Sequence, residues 1–152
     1  MSQTSPELAL SGLELLREIL DGSRPIPAFC ATLDMRPATI AAGEVEFVAA
    51  PTAAHGNFVG SLHGGYLTGL LDTVMGCACH SLLGVEETYV TIELKTNFLK
   101  GVPLTGKALR AIGKVVQKGR SIAFVEGRVV DSAGNVVATA TCTCMIRAVV
   151  QR

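Results

Sequence analysis

The chain has 152 residues, the size of a single domain; 49% of them are hydrophobic and only 17% are charged. Its 13 Lys and Arg balance its 13 Asp and Glu. This composition excludes a disordered chain and gives no sign of a nucleic-acid-binding protein, so we expect one globular domain with a sizeable core.

Two features bear on the cellular compartment. The N-terminus lacks a basic region followed by an apolar core, and the longest apolar stretch contains an Asp and a His, so we expect neither secretion nor contact with a membrane. The cysteines do not have the C-x-x-C spacing of a redox or zinc site, and no His stands at a matching distance. We therefore expect a cytoplasmic protein with no metal, in which the cysteines are small buried apolar side chains. They are Cys30, Cys77, Cys79, Cys142 and Cys144.

The first part of the chain predicts a helix and then two strands. Ser5-Pro6-Glu7 is typical of a helix N-cap with proline at the first position, and leucines at helical spacing continue as far as Leu20. The segment Arg24 to Pro27 breaks this helix. From Phe29 to Ala50 the pattern predicts two strands separated near Arg36-Pro37. We divide the chain into an N-terminal helix and linker, 1–27, and a main domain, 28–152.

A long apolar helix follows within the stretch from Asn57 to Gly84. Ser61 is the predicted N-cap, and Gly84 is the predicted left-handed stop. Apolar side chains recur at helical spacing and predict a buried face, which comprises Tyr66, Leu67, Leu70, Leu71, Val74, Met75 and Ala78. Asp72 interrupts this apolar helix. Burying an unpartnered carboxylate is costly, which makes Asp72 the first functional candidate.

After Gly84 the hydrophobic period changes from 3.6 to 2, and four strands are predicted. The first contains Thr91, whose polar neighbours Glu93, Lys95 and Asn97 share one face. The next two are Leu104 to Val116 and Ser121 to Val130, with a hairpin at Lys118-Gly119. The last begins at Val136, after a turn over Asp131 to Asn135, and alternate residues from Val136 to Ile146 face the core. We expect an α+β fold in which an antiparallel sheet, including a four-strand meander, curls around the long central helix.

The start of the long helix and Asp72 have complementary chemistry. Free backbone N–H groups at a helix start, next to a glycine such as Gly64, can stabilise a carbonyl oxygen that gains negative charge during acyl transfer. Asp72 can act as a general base for water or as a nucleophile. The two are eight residues apart, or roughly 12 Å along one helix, too far to touch one carbonyl carbon. If they share a site, two chains of a twofold dimer must supply it.

A run of basic residues adds a second signal. Between Leu94 and Val125 there are seven basic residues and no acidic one, although the whole chain is neutral. Solvated strand faces can explain such a run, and the alternative is attraction of a phosphate-bearing ligand. The seven are Lys95, Lys100, Lys107, Arg110, Lys114, Lys118 and Arg120.

These residues together carry a resemblance to a known family. The motifs are Asn57, His63-Gly64-Gly65 with Asp72 nine residues after His63, the helix segment LLDTVMG, the strand VTIELKTNFLK and the later VQKGRSIAFVEG. They resemble the phenylacetate-pathway (PaaI-like) branch of the hotdog-fold acyl-CoA thioesterases over about residues 28–147. The resemblance implies a hotdog fold, hydrolysis of an acyl-CoA thioester to free acid and CoA, and a homodimer or a dimer of dimers. It implies no cofactor, because coenzyme A is part of the substrate.

The resemblance also implies a role for each matching residue. Asp72 would be the nucleophile or general base, and Thr91 would hold the attacking water with it. The Gly64 N–H and the Asn57 side chain would hold the thioester carbonyl, and His63 would orient Asn57. Gly65 would lie against the substrate. A basic pair near the nucleotide end of CoA would correspond to Lys118 and Arg120, on either side of Gly119.

Two alternatives remain open from the sequence. Relatives with this fold include acyl-thioester dehydratases and hydratases, which usually pair a catalytic His with a carboxylate, whereas the His here belongs to the H-G-G turn. A non-catalytic acyl-CoA-binding domain would keep the pocket and tolerate loss of Asp72. The sequence does not identify the acyl group.

Overall fold

The computed structural model describes residues 10–149 as three α-helices packed on one six-stranded sheet, with a short 3-10 helix at Ala53–His55. The helices are α1 (Gly12–Asp21), α2 (Ala28–Thr32) and α3 (Gly64–His80). The strands are β1 (Met35–Ala41), β2 (Glu44–Ala49), β3 (Glu87–Phe98), β4 (Leu109–Lys118), β5 (Ile122–Val130) and β6 (Val136–Ala148).

The sheet is antiparallel throughout, in the order β1-β2-β4-β5-β6-β3. The predicted four-strand meander is therefore wrong in one respect. After α3 the chain passes to the far edge of the sheet to form β3, which pairs with β6, and only then returns to the centre with β4, which pairs with β2. The α+β prediction of a sheet wrapped around a long central helix is confirmed.

The central helix α3 lies across the inner face of the sheet. Every residue of its predicted apolar face is buried, because that face packs against strands on both sides of the sheet centre. The helix ends were mispredicted. Ser61 does not cap the helix; His63 is the N-cap, and its Nδ1 accepts a hydrogen bond from Gly65 N at 2.8 Å. The helix ends at His80 rather than at Gly84, and Ser81, whose hydroxyl donates to Ala78 O, closes it.

Two facing glycines let α3 approach the sheet closely. Gly113 of β4 pairs with Gly127 of β5. A Cβ at Gly113 would lie 2.4 Å from the Val74 carbonyl oxygen, whereas a Cβ at Gly127 would meet the Met75 side chain at 2.9 Å. These glycines set the distance between the helix and the sheet, and so the depth at which Asp72 lies.

The N-terminal elements differ from the prediction in their boundaries. Ser5-Pro6-Glu7 lies outside the described residues, and α1 begins at Gly12 behind a capping box between Ser11 and Glu14. The division of the chain into segments 1–27 and 28–152 stays a prediction. In the structure α1 packs against β1 and α3. Phe29 lies in α2 rather than in a strand.

The first hairpin turns later than predicted. Its turn is at Ala42-Gly43, where Gly43 has φ +78°, and not at Arg36-Pro37. Pro37 is tolerated inside β1 because β1 is an edge strand and has a bulge at that point.

Three further strand details also differ. The strand predicted from Leu104 begins only at Leu109. Val136 is exposed rather than facing the core, since the register with β5 shifts beside it and Val137 is buried in its place. In β3 a register shift between Thr91 and Glu93 interrupts the alternation.

Candidate active site

Asp72 lies midway along α3 and faces the first half of β3. The Thr91 hydroxyl donates a hydrogen bond to Asp72 Oδ1 at 2.9 Å, and both side chains are partly buried. Asp72 Oδ2 accepts no hydrogen bond from residues 10–149. The carboxylate is therefore fixed through one oxygen and leaves the other available.

The two residues line a cavity of about 370 Å³. On α3 its wall continues from Asp72 through Thr73 and Cys77 to His80, and on β3 it runs from Thr91 to Tyr89. The opposite wall comes from α1, α2 and β2, and it is apolar. Its side chains are Leu15, Leu16, Ile19, Pro27, Phe29, Cys30 and Phe47.

Burial alters the titration of three groups in this wall. Burial raises the pKa of Cys77 to about 12, so this side chain is a neutral thiol near pH 7. Burial also raises the pKa of the Tyr89 hydroxyl and lowers the pKa of His80 below its usual value. All three are uncharged at neutral pH. Asp72 is the one carboxylic acid side chain among the described residues of this wall.

The start of α3 forms a second polar site. His63 caps the helix by accepting from Gly65 N, so that N–H is already satisfied. The Gly64 N–H donates no hydrogen bond to any residue between 10 and 149. A Cβ at Gly64 would lie 3.0 Å from the Phe98 ring, so the glycine leaves this N–H accessible beside an aromatic side chain.

Asn57 closes a tight loop next to this helix start. Its Oδ1 accepts from Val59 N and Ser61 N, and its Nδ2 donates to Ser61 Oγ at 2.9 Å and, at a longer 3.4 Å, to Leu62 O. Within the described chain His63 makes no hydrogen bond to Asn57, so its expected orienting role stays a prediction. The observed role of His63 is the helix cap.

Within one chain these two sites are separate. Asn57 and Gly64 line a pocket of about 320 Å³ with Phe98 and Lys100, and neither residue lines the cavity at Asp72. This agrees with the separation of roughly 12 Å expected for residues eight apart on one helix.

The basic run divides into paired and unpaired residues. Arg110 forms a bidentate ion pair with Glu46 at 2.7 and 2.8 Å, and Lys114 and Lys100 pair with Glu44 and Asp131. Lys118, Gly119 and Arg120 form the exposed β4–β5 hairpin. Within residues 10–149, neither Lys118 nor Arg120 forms an ion pair.

Sequence reasoning missed the α1 and α2 side of the cavity. A signal was present, because Leu15, Leu16 and Ile19 form an apolar stripe on the first helix. A stripe predicts that a helix packs against something but does not identify what it covers.

Residues 10–149 contain neither a membrane-spanning helix nor a cluster of metal ligands. No helix in this range is long and apolar enough to cross a membrane. The same residues contain no cluster of three or more His, Cys, Asp or Glu side chains placed to hold a metal ion.

Comparison with known proteins identifies the family. The model of the thioesterase superfamily matches residues 59–138. A phenylacetic acid degradation-related protein from Ralstonia eutropha JMP134 is 32% identical, with a TM-score of 0.79 over 86% of this chain and 98% of that one. The Escherichia coli PaaI protein of the phenylacetic acid degradation operon has a TM-score of 0.78 at 21% identity, over 89% of this chain and 95% of its own.

A third similar structure holds a ligand. A Streptococcus mutans UA159 protein solved with bound acetyl CoA is 26% identical, with a TM-score of 0.74 over 84% of this chain and 98% of that one. A sequence search of proteins with curated functions finds no match. The superfamily match and the 32% identical relative show that this chain belongs to the thioesterase superfamily and has the hotdog fold of its PaaI-like members.

Proposed function

We propose that the protein hydrolyses an acyl-CoA thioester to a free carboxylic acid and CoA. The observation that carries this proposal is the Asp72 carboxylate, held by Thr91 in the wall of a mainly apolar cavity. Superfamily membership supports a thioesterase in general, and the acetyl-CoA-bound relative supports a CoA thioester as the ligand.

Asp72 and Thr91 would together position the attacking water. The Thr91 hydroxyl donates its hydrogen bond to Asp72 Oδ1, so the Thr91 Oγ1 atom can still accept a hydrogen bond. A water that donates to Asp72 Oδ2 and to Thr91 Oγ1 directs a lone pair at the thioester carbon. Asp72 takes one proton as the water oxygen bonds to carbon. The C–S bond then breaks, and the proton is passed to the departing thiolate, giving the acid and CoA.

The carbonyl oxygen of the thioester gains negative charge in this reaction, and Gly64 is the proposed donor to it. Its N–H lies at a helix start, is unused within the described chain and has no side chain in front of it. Gly65 is a poorer candidate because its N–H already donates to His63. Asn57 Nδ2 is the second proposed donor, since its bond to Leu62 O is long.

A twofold dimer would bring the separate sites together. The edge strand β3 is 12 residues long, and Ile92 and Phe98 on it are about half exposed, which is unusual for an edge that stays unpaired. If β3 pairs antiparallel with its copy, the first half of one strand faces the second half of the other. Thr91 with Asp72 is at the first half, and Phe98 with Gly64 is at the second. Each Asp72 would then approach the partner's helix start.

The exposed β4–β5 hairpin lies within reach of a substrate bound at Asp72. Lys118 pairs with Ala123, Ala123 with Cys144, and Cys144 with Thr91, so Lys118 lies three strands from Thr91 on one row of the sheet. Three strands span roughly 14 Å. We propose that Lys118 and Arg120 attract the CoA phosphates while the acyl end reaches Asp72.

The test is a pair of assays on the purified protein with one set of acyl-CoA and enoyl-CoA substrates. Hydrolysis releases free CoA thiol, whereas hydration of an enoyl-CoA removes the enoyl absorbance with no thiol. We expect thiol release with turnover. Loss of enoyl absorbance without thiol would support the hydratase alternative, and saturable binding with neither signal would support a binding domain.

A further inference from the structure

The cavity at Asp72 extends well beyond the atoms needed for hydrolysis. Along α3 it runs from Asp72 past Cys77 to His80, a span of eight residues or roughly 12 Å. Its far wall is formed by Leu15 and Ile19 of α1 and by Phe29 of α2. Space that continues from the catalytic carboxylate between apolar helices can hold the part of a substrate attached to the thioester carbon.

The charges in this cavity restrict what can enter. Asp72 is the one carboxylate among the described residues that line the cavity, and none of these residues is a Lys or an Arg. A negatively charged acyl group would be repelled by Asp72 and would find no cation. A positively charged group beyond the first few atoms would lose its water without gaining a partner. Burying either a negatively or a positively charged acyl group in an apolar site is therefore costly.

The volume of the pocket, which is partly open to solvent, gives the size of the acyl group that its walls can surround. A cavity of about 370 Å³ has room for roughly a dozen groups of the size of a water molecule, at about 30 Å³ each. A methylene group is close to that size. After allowance for imperfect packing, this corresponds to an acyl group of up to roughly ten carbon atoms.

We infer that this cavity is the acyl-binding pocket and that it selects uncharged, apolar acyl groups of up to roughly ten carbons, with α1 setting the limit. The inference rests on the proposed function and adds its substrate class. It also assigns a role to the segment before the region of family resemblance, because Leu15 and Ile19 form the pocket wall opposite Cys77 and Thr73.

The first experiment uses the unmodified protein. We expect kcat/KM for straight-chain acyl-CoAs to rise roughly fourfold with each added methylene, to reach a maximum near eight to ten carbons and then to fall. Succinyl-CoA and butyryl-CoA have the same number of carbons and differ by one carboxylate. We expect succinyl-CoA to be the poorer substrate by at least about 100-fold.

The second experiment changes the size of side chains that line the cavity. Leu15→Ala should shift the best substrate to longer acyl groups by roughly two to four carbons, because the change removes side-chain volume from the α1 wall of the cavity. Leu13→Ala is the matched control, since Leu13 lies on the same helix but does not line the cavity. From the other side, Cys77→Leu should lower the ratio of octanoyl-CoA to butyryl-CoA turnover by about tenfold or more. Thermal melting would confirm that each variant is folded.

The outcomes separate this inference from the proposed function. Absence of thiol release from every acyl-CoA contradicts the hydrolase. Thiol release that does not depend on chain length, or equal rates for succinyl-CoA and butyryl-CoA, overturns the pocket while leaving the hydrolase intact. Should Leu15→Ala or Cys77→Leu fail to fold, the two wild-type comparisons still decide the question.

Discussion

At the scale of single residues, the site depends on how Asp72 is held. The carboxylate lies on a helix whose other faces are buried in the sheet, and one hydrogen bond from Thr91 fixes its orientation. Thr91 can reach it because the bulge between Thr91 and Glu93 changes which side chains of β3 face the helix. A fixed acceptor beside an apolar cavity is what a general base for water requires.

The first prediction tests this carboxylate. We expect Asp72→Asn to leave a folded protein and to lower kcat/KM for acyl-CoA hydrolysis by on the order of 10²-fold or more, since general bases contribute about 10²–10⁴-fold. The amide keeps the shape of the side chain but cannot take a proton. Thiol release and thermal melting are the measurements. Glu126→Gln is the control, because Glu126 is an exposed carboxylate of β5 and not of the edge strand in the proposed dimer interface. Turnover close to normal in Asp72→Asn would favour the binding-domain alternative.

Some of this site could be predicted from the sequence, for a physical reason. Asp72 was identifiable because a carboxylate in an apolar helix conflicts with burial. The family resemblance implied that Thr91 and Asp72 together hold the attacking water, but it did not predict the hydrogen bond between them. A bulge shifts the period of a strand, and no local pattern signals it. His63 was noted as part of the H-G-G turn, but its action as N-cap depends on a ring geometry that the residue type does not specify.

At the scale of elements, the site is positioned by the close contact between α3 and the middle of the sheet. Gly113 and Gly127 face each other on β4 and β5, but they meet different parts of the helix. Gly113 is next to the helix backbone at Val74, which cannot move independently. Gly127 is next to the flexible end of Met75, which can take another rotamer.

This difference gives a second prediction. Gly113→Ala should lower the free energy of unfolding by about 3 kcal/mol or more, because its Cβ would overlap the helix backbone. Gly127→Ala, the matched control, should cost about 1 kcal/mol, since the Met75 side chain can yield. Urea denaturation of both variants measures the difference. Equal losses of unfolding free energy in the two variants would mean that the helix backbone at Val74 yields as easily as the Met75 side chain.

Element boundaries were the least predictable part of the fold. The turn at Ala42-Gly43 contains the usual glycine, but Arg36-Pro37 looked like the stronger break. Proline is compatible with an edge strand, and which strand lies at the edge is settled by distant pairings. The prediction from local pattern therefore placed the turn at Pro37 instead of at Gly43.

At the scale of the whole molecule, strand order decides which residues can meet. Hydrophobic period predicted nearly all of the strands, but not that β3 lies at the edge beside β6. This edge position is needed for the proposed dimer, because it leaves β3 free to pair with β3 of the second chain. Local sequence patterns do not encode such long-range pairings.

The third prediction concerns the exposed hairpin. Replacing Lys118 and Arg120 by Ala should raise KM for CoA thioesters more than it lowers kcat, because a contact with a remote phosphate is the same in the ground and transition states. Steady-state kinetics at several salt concentrations provide the measurement, and the wild-type KM should rise with salt. Lys114→Ala, which removes a lysine already paired with Glu44, is the control. A salt-independent wild-type KM would count against phosphate contacts.

In the proposed dimer, each site combines Asp72 of one chain with Gly64 and Asn57 of the other. Mixing two inactive variants tests this shared site. A heterodimer of Asp72→Asn with Asn57→Ala contains one site with both defects and one with neither, whereas neither homodimer has an intact site. Random exchange makes about half of the dimers mixed, each with one good site of two, so the mixture should recover roughly a quarter of wild-type activity.

The measurement is thiol release from the two variants, alone and after subunit exchange, with the heterodimer confirmed by mass. Each variant mixed with itself and carried through the same exchange is the control. For a shared site, we expect recovery to roughly a quarter of wild-type activity in the mixture and no recovery in either control. Confirmed heterodimers that stay as inactive as their parents would contradict the shared site and would leave Asp72 and Gly64 serving separate purposes.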